Sequence, residues 1–247
     1  MSHSVISLGL GLGGGKSATS SGAAGGGGAV PYSNSLSCSL DASTHDRLDL
    51  ASEETFSGVY SLSLWFKHTS GDYPTLAWGT GDDYVQLYGP SVGAGRYAIV
   101  RGYAIITSGS GVYDFDAWNH FMLVRDSSDG VQAWINTSSI GTASKSGDVA
   151  LTLFGTLADR TDGSFGGLLD EIAIWDSDQS SNLSTIYNSK VPADLTDLNP
   201  LSWWRMGETN PDSAGTAVAL ITDVKGRKNL VQGTASREPV LSTDVAT

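Results

Sequence analysis

Seven tryptophans, four histidines and a run of glycines are the features of this 247-residue chain that first suggest chemistry. An indole offers a flat apolar face on which a pyranose ring can stack, so the tryptophans raise the question of sugar binding. Trp65, Trp118, Trp175, Trp203 and Trp204 stand among aliphatic neighbours in strand-like runs, which predicts core positions for most of them. Trp203 and Trp204 are adjacent and must then face opposite sides of a strand. Trp78, between Leu76 and a turn over 79–83, is the candidate for a loop-borne contact with a glycan or a partner. The histidines, His3, His45, His68 and His120, form no Ser/His/Asp arrangement. The single cysteine, Cys38, excludes an intrachain disulfide, and no Cys/His grouping has zinc spacing.

The glycines invite two phosphate-loop readings, and both fail. Gly15-Lys16-Ser17 has the ending of a P-loop, but Leu10 stands where that motif needs its first glycine. Gly9, Gly11 and Gly14 match G-x-G-x-x-G. That motif holds a pyrophosphate only when a helix follows, and residues 17–28 are a Ser/Ala/Gly tract without helical period.

Composition narrows the partners. The formal charge is −12 and only 16 % of residues are charged, against roughly 25 % in an ordinary globular protein, so surface polarity falls to Ser, Thr, Asn and Gly. Without a basic run, neither nucleic acid nor an anionic membrane is an expected partner. No stretch approaches the roughly 18 apolar residues of a membrane span, and nothing basic precedes Val5 as a secretory signal would require. Ten of the 31 glycines fall in residues 1–30, where Lys16 is the only charge, so the whole acidic excess belongs to the remainder. Such a composition suits a disordered tail. Yet Val5, Ile6, Leu8, Leu10 and Leu12 alternate with glycine at their end, which favours an assembly arm that pairs along a neighbouring chain.

From Pro31 onward short strand patterns alternate with turns. Residues 60–67 put Leu62, Leu64 and Phe66 on one face and Trp65 on the other. The runs 118–125 and 131–135 form a hairpin around the polar loop 126–130, and Trp134 points to a second layer or to solvent. Further strands are expected at 35–40, 47–50, 84–87, 96–100, 149–154, 168–175 and 201–206. One helix is expected over 182–189, with Leu183, Ile186 and Tyr187 on one face, Asp and Ser before it as caps, and Pro192 after it. Ten or more short strands predict a sandwich, with an arm over 1–30 and a single domain over 31–247.

The succession Val59-Tyr-Ser-Leu-Ser-Leu-Trp-Phe-Lys67, Trp118-Asn-His-Phe-Met-Leu-Val-Arg-Asp126, Val131-Gln-Ala-Trp-Ile-Asn136 and Gly166-Gly-Leu-Leu-Asp-Glu-Ile-Ala-Ile-Trp175 resembles the laminin-G-like, concanavalin A-like lectin/glucanase superfamily. Asn182-Leu-Ser-Thr-Ile-Tyr-Asn188 is similar to that family's short helix, and Leu201-Ser-Trp-Trp-Arg-Met206 to its closing strand. The resemblance spans about 32–233 and implies an all-β, two-sheet antiparallel jelly-roll sandwich with one short helix. A glycine-rich arm leading into Tyr32-Ser-Asn-Ser-Leu-Ser37 and such a domain further resembles virion-associated structural proteins of tailed, particularly marine, phages.

Because the superfamily includes glycosidases, its carboxylates matter. A retaining enzyme needs two of them about 5 Å apart. The glucanase branch spaces them as E-x-D-x-x-E on one strand face, but here Asp170 and Glu171 are adjacent, expected on opposite faces, and Ala173 and Ile174 follow. No enzymatic activity and no catalytic residue is expected. Asp159, Asp162 and Asp170 are the only candidate calcium ligands, without the dense ligand spacing of a dedicated site. Asp170 is read instead as an acceptor for backbone N–H groups where a glycine-rich turn enters the strand. The sequons at Asn136 and Asn182 are read as chance.

Two functions of different classes remain. One is a non-enzymatic virion structural protein located in the virion, on the capsid surface rather than the tail. It would be a decoration or cement protein whose arm contacts the major capsid protein and copies of itself. The other is a glycan-binding tail-fibre or receptor-binding module, with loops at one end of the sandwich reading cell-surface glycan.

Overall fold

A computed structural model describes residues 32–71, 74–79, 84–89, 98–101, 106–107, 111–155, 164–206, 214–215, 217–232 and 238–247. The arm residues Val5, Ile6, Leu8, Leu10 and Leu12 therefore lie outside the described residues.

In chain order the described strands are β1 Ser37–Leu40, β2 Arg47–Phe56, β3 Tyr60–Ser70, β4 Thr75–Trp78, β5 Tyr84–Leu87, β6 Ala98–Arg101, β7 Ile106–Thr107, β8 Trp118–Arg125, β9 Gly130–Ile135, β10 Ser138–Ser144, β11 Val149–Gly155 and β12 Gly166–Trp175. Helix α1, Leu183–Tyr187, precedes β13 Ser202–Trp204, β14 Leu220–Ile221, β15 Leu230–Gln232 and β16 Val240–Ser242. One sheet has the order β10-β9-β8-β3-β12-β1-β16, with β13 also on β12; the other runs β14-β15-β2-β11-β4-β5-β6-β7. Every pairing is antiparallel, which makes this the expected all-β two-sheet sandwich with one short helix.

Alternation builds the layer between the sheets. Leu62, Leu64 and Phe66 of β3 meet Phe121 and Leu123 of β8 and Leu48, Phe154 and Leu76 of the opposite sheet in one buried cluster. Burying a side chain of this size stabilises by roughly 1.5–3 kcal/mol, so the inter-sheet layer dominates the favourable side of folding. Strands β4, β7, β10, β14, β15 and β16 were not apparent from alternation. They are short, or, like β10 with its Ser, Gly and Thr, nearly free of apolar periodicity. The β9–β10 connection places Asn136 and Thr137 at φ of 49° and 69°, the left-handed pair of a tight hairpin turn. Asn136 also accepts the His120 N–H and donates to Asn119, so the residue of the sequon works in the turn.

The first sheet has a second, outer apolar layer. Met122, Val124, Trp134, Ala173, Trp175 and Trp203 point away from the inter-sheet core and are covered by Ile186 of α1 and Leu195 of the following loop. Trp175 Nε1 fixes that cover by donating to Leu198 O at 3.0 Å. The helix is shorter than expected. Asn188 and Ser189 adopt left-handed backbone at φ 43° and 59°, so helical geometry stops before Pro192, and no side chain caps the N-terminus at Asn182. Five helical residues have no stability alone, and packing over the outer layer supplies it.

Trp203 and Trp204 do face opposite ways, and both are buried, the first in the outer layer and the second in the inner. Trp65 and Trp175 are buried as expected. Trp118 departs from the core expectation: it is half-buried, with Nε1 donating to Asp244 Oδ1 at 2.9 Å.

Candidate functional site

The sandwich end at which β2, β8 and β12 finish and β3, β9 and β11 begin carries three loops, 57–59, 126–129 and 176–180. Loop 126–129 is held by its own carboxylate. Asp126 Oδ1 accepts the N–H groups of Ser128 at 2.7 Å and Gly130 at 2.9 Å, and Arg125 ties the hairpin to Asp129 at 2.5 Å and to Gly147 O at 2.7 Å. Loop 176–180 is held from below. Ser61 Oγ, fully buried in β3, accepts the Gln179 N–H at 3.0 Å and donates to Ser177 O at 2.7 Å. Gln179, itself buried, donates through Nε2 to Ser177 Oγ at 3.0 Å and accepts from Asn182 Nδ2 at 2.8 Å.

Between these loops lies an open groove of about 230 Å³. Trp134 and Val131, 8 % and 1 % exposed, border it as packed core residues, Gln132 and Thr142 line its strand side, and Asp126, Asp178 and Ser180 line its loop side. Asp178 Oδ1 accepts the Ser180 N–H at 2.8 Å, as Asp126 Oδ1 is engaged by its own turn. The Oδ2 atoms of both carboxylates have no protein partner among the described residues. Fixed acceptors lining an open groove suit the hydroxyl groups of a polyol ligand. Sequence reasoning placed Trp134 at a second layer but missed the groove, because Asp126 and Asp178 meet only through tertiary structure.

The residues singled out beforehand do not assemble into a site among the described residues. Trp78, expected on a loop, ends strand β4 and pairs with Leu153 and Tyr84; its side chain lies outside the described set. Asp159 and Asp162 also lie outside it. Asp170 is wholly buried in mid-strand. Its Oδ1 accepts the N–H of Glu171 at 2.9 Å, and its Oδ2 accepts Asn34 Nδ2 at 2.8 Å. Backbone acceptance is thus part of its role, but at a bulge rather than at the strand entrance.

That bulge corrects the strand geometry. The register of β12 shifts between Asp170 and Ala173, with Glu171 at φ 44°. Leu169, Ile172 and Ile174 face the inner core, whereas Ala173 and Trp175 face the outer layer. Asp170 and Glu171 consequently do not alternate: one extra residue puts both on the outer side, at the junction where β12 changes neighbour from β1 to β13. Glu171 accepts Trp203 Nε1 at 2.6 Å and Arg205 Nε at 3.1 Å, and Arg205 stacks over Tyr32 and bonds Ser33 O. Burial pushes the Glu171 carboxyl up to about 7 against the opposing pull of Arg205. A raised carboxyl suits a general acid. With Asp170 and Glu171 at 0 % and 2 % exposure, however, no substrate reaches either one, and the pair anchors the segment that enters β1. His120 is likewise interior, ringed by Trp65 and Tyr187, and burial pushes it down to about 3.

Comparison with known proteins agrees with this architecture. The Laminin_G_3 model of the concanavalin A-like lectin/glucanases superfamily matches residues 42–182, more than half of the chain. Among solved structures, a proposed carbohydrate binding protein from Bacteroides ovatus is similar over 87 % of this chain, with 14 % identity and a TM-score of 0.64. The chain spans 62 % of that protein. The SAP-like pentraxin of Limulus polyphemus is similar over 62 % of this chain and 82 % of its own, at 13 % identity and a TM-score of 0.48. Domains LG4-5 of the mouse laminin alpha1 chain are similar over 56 % of this chain and 40 % of their own, at 14 % identity and a TM-score of 0.40. No curated protein sequence matches. On the family match over its strands β2 to β12, the chain belongs to the concanavalin A-like lectin/glucanase superfamily.

Proposed function

We propose that the sandwich is a non-enzymatic carbohydrate-binding module whose site is the groove of Trp134, Asp126 and Asp178. The observation that carries the reading is that two carboxylates, each pinned by one oxygen to its own loop, hold their second oxygen open in one groove. Pinned acceptors lose little rotamer freedom on binding, so their bonds to sugar hydroxyls are not offset by ordering. The carbohydrate-binding description of the Bacteroides ovatus structure supports the same class of ligand. Calcium is not assigned: among the described residues no group of three or more His, Cys, Asp or Glu is arranged to hold a metal. A glycan array with and without saturating calcium tests the reading. Binding that falls at least about tenfold in both Asp126→Asn and Asp178→Asn supports it. A flat array across cell-surface polysaccharides refutes it.

A second reading concerns the arm and is compatible with the first. The aliphatics Val5, Ile6, Leu8, Leu10 and Leu12, set in a nearly uncharged glycine-rich strip, favour anchoring to a larger assembly. We infer a virion structural role of the decoration or cement type, with the major capsid protein and further copies of this chain as partners. The acidic excess then belongs to the displayed domain, where self-repulsion favours solubility. Removing residues 1–30 is expected to abolish incorporation into particles while leaving the sandwich folded; undiminished incorporation overturns the anchoring role.

A further inference from the structure

The loop that walls the Trp134 groove has a second groove on its other flank. This one, about 360 Å³, is bounded by residues 54–59 at the end of β2, by Leu201, and by Asp176 and Arg227. Residues 176–180 thus form a ridge, with Asp176 on one side and Asp178 and Ser180 on the other. The ridge is a fixed part of the fold, because the buried Ser61 and Gln179 hold it from within. Each groove alone is small, one below and one near the lower end of the ~300–1,000 Å³ typical of a small-ligand site.

We infer that the ligand is an uncharged, chain-like oligosaccharide that crosses this ridge and occupies both grooves. The inference rests on the carbohydrate reading above and adds length and charge selectivity to it. Length follows from two shallow sites fixed on one rigid wall: once a chain reaches the second groove, that contact becomes intramolecular and affinity rises steeply. Neutrality follows from the lining. The ridge and its facing loop present Asp126, Asp176 and Asp178, and among the described residues that line the two grooves Arg227 is the only cation. That guanidinium is already held by both oxygens of Glu54, at 2.6 and 2.8 Å, and the nearby Lys228 ammonium is held by Glu54 at 2.8 Å and by Glu53 O, so among the described residues a sulfated or carboxylated sugar meets carboxylates and cations already paired.

Calorimetry on the full chain with mono- to hexasaccharides of a neutral glucan and a neutral mannan tests this, with a sulfated hexasaccharide and a lysine-rich peptide as comparators. The expected result is a rise of at least about tenfold in affinity at the length that first spans both grooves, with the comparators at least about tenfold weaker. Gly58 lines the second groove, and a Cβ there meets nothing within 4 Å, so Gly58→Leu obstructs that groove without straining the fold. It is expected to remove the gain with length and leave the shortest binders unchanged, whereas Asp178→Asn weakens every length. Equal affinity for short and long sugars, a hexasaccharide indifferent to Gly58→Leu, or preference for the sulfated sugar or the peptide overturns the bridging inference while short neutral sugars still bind. Absence of binding at every length overturns the carbohydrate reading and this inference together.

Discussion

Replacing Ser61 by Ala removes one oxygen from the interior of β3 and with it the support of ridge 176–180: the oxygen accepts the Gln179 N–H and donates to Ser177 O. The two losses differ in size. Gln179 is buried, so its N–H is left without a partner at a cost of about 1–3 kcal/mol, whereas Ser177 is half-buried and its carbonyl regains water for about 1 kcal/mol or less. A total near 2–3 kcal/mol corresponds to a fall in Tm of about 5–10 °C for a domain of this size. Urea unfolding gives the stability change, and calorimetry with the best neutral oligosaccharide gives the functional one. Affinity is expected to fall as well, although Ser61 lines neither groove, because the ridge would no longer be fixed before binding. A loss of stability below about 0.5 kcal/mol would refute the assignment of Ser61 as the ridge's support.

Two buried groups give opposing pH dependences. Glu171 is raised from 4.5 to about 7, so the folded state holds its extra proton and stability falls as pH rises between those values. His120 is lowered from 6.5 to about 3, so the unfolded state holds the extra proton and stability rises with pH over that window. The two slopes, each at most about 1.4 kcal/mol per pH unit, nearly cancel between about pH 4.5 and 6.5. Glu171→Gln should expose a rising urea midpoint across that range; an unchanged profile would count against the ionisation assigned to Glu171. Gly167→Ala should abolish soluble expression, since its Cβ would sit 1.9 Å from the carbonyl oxygen of Lys67 on the neighbouring strand β3. A soluble variant with native-like circular dichroism contradicts that. Deleting residues 1–30 should change the Tm of the sandwich by less than about 2 °C if the arm serves assembly and not the fold, and a larger fall in a thermal melt contradicts that.

Strands with a clean period of two were legible in the sequence. The runs around Leu62–Phe66, 118–125 and 131–135 appear where alternation placed them, because one face of each packs in the inner core and the other in the outer layer. Strand β2 was seen only to Leu50, since beyond it Ala51 to Glu53 are exposed and carry no apolar signal. The helix expected over 182–189 runs past its true end, because the left-handed stop falls at Asn188, a residue suited to that conformation, and not at Pro192. The candidate site was legible only in pieces. Trp134 could be assigned to an outer position, but Asp126 and Asp178 are ordinary turn residues until the fold brings them to one groove.

The sequence by itself determined the class of fold and where its acidic charge resides, because alternation and composition are local properties that tertiary structure leaves intact. Tertiary structure alone decided what the carboxylates do. A single bulged residue in β12 placed Asp170 and Glu171 together on the outer side and buried both, a phase change that depends on β12 pairing first with β1 and then with β13. Likewise, the open carboxylates of the groove belong to loops 52 residues apart in sequence, from Asp126 to Asp178, joined only because β8, β3 and β12 pair side by side.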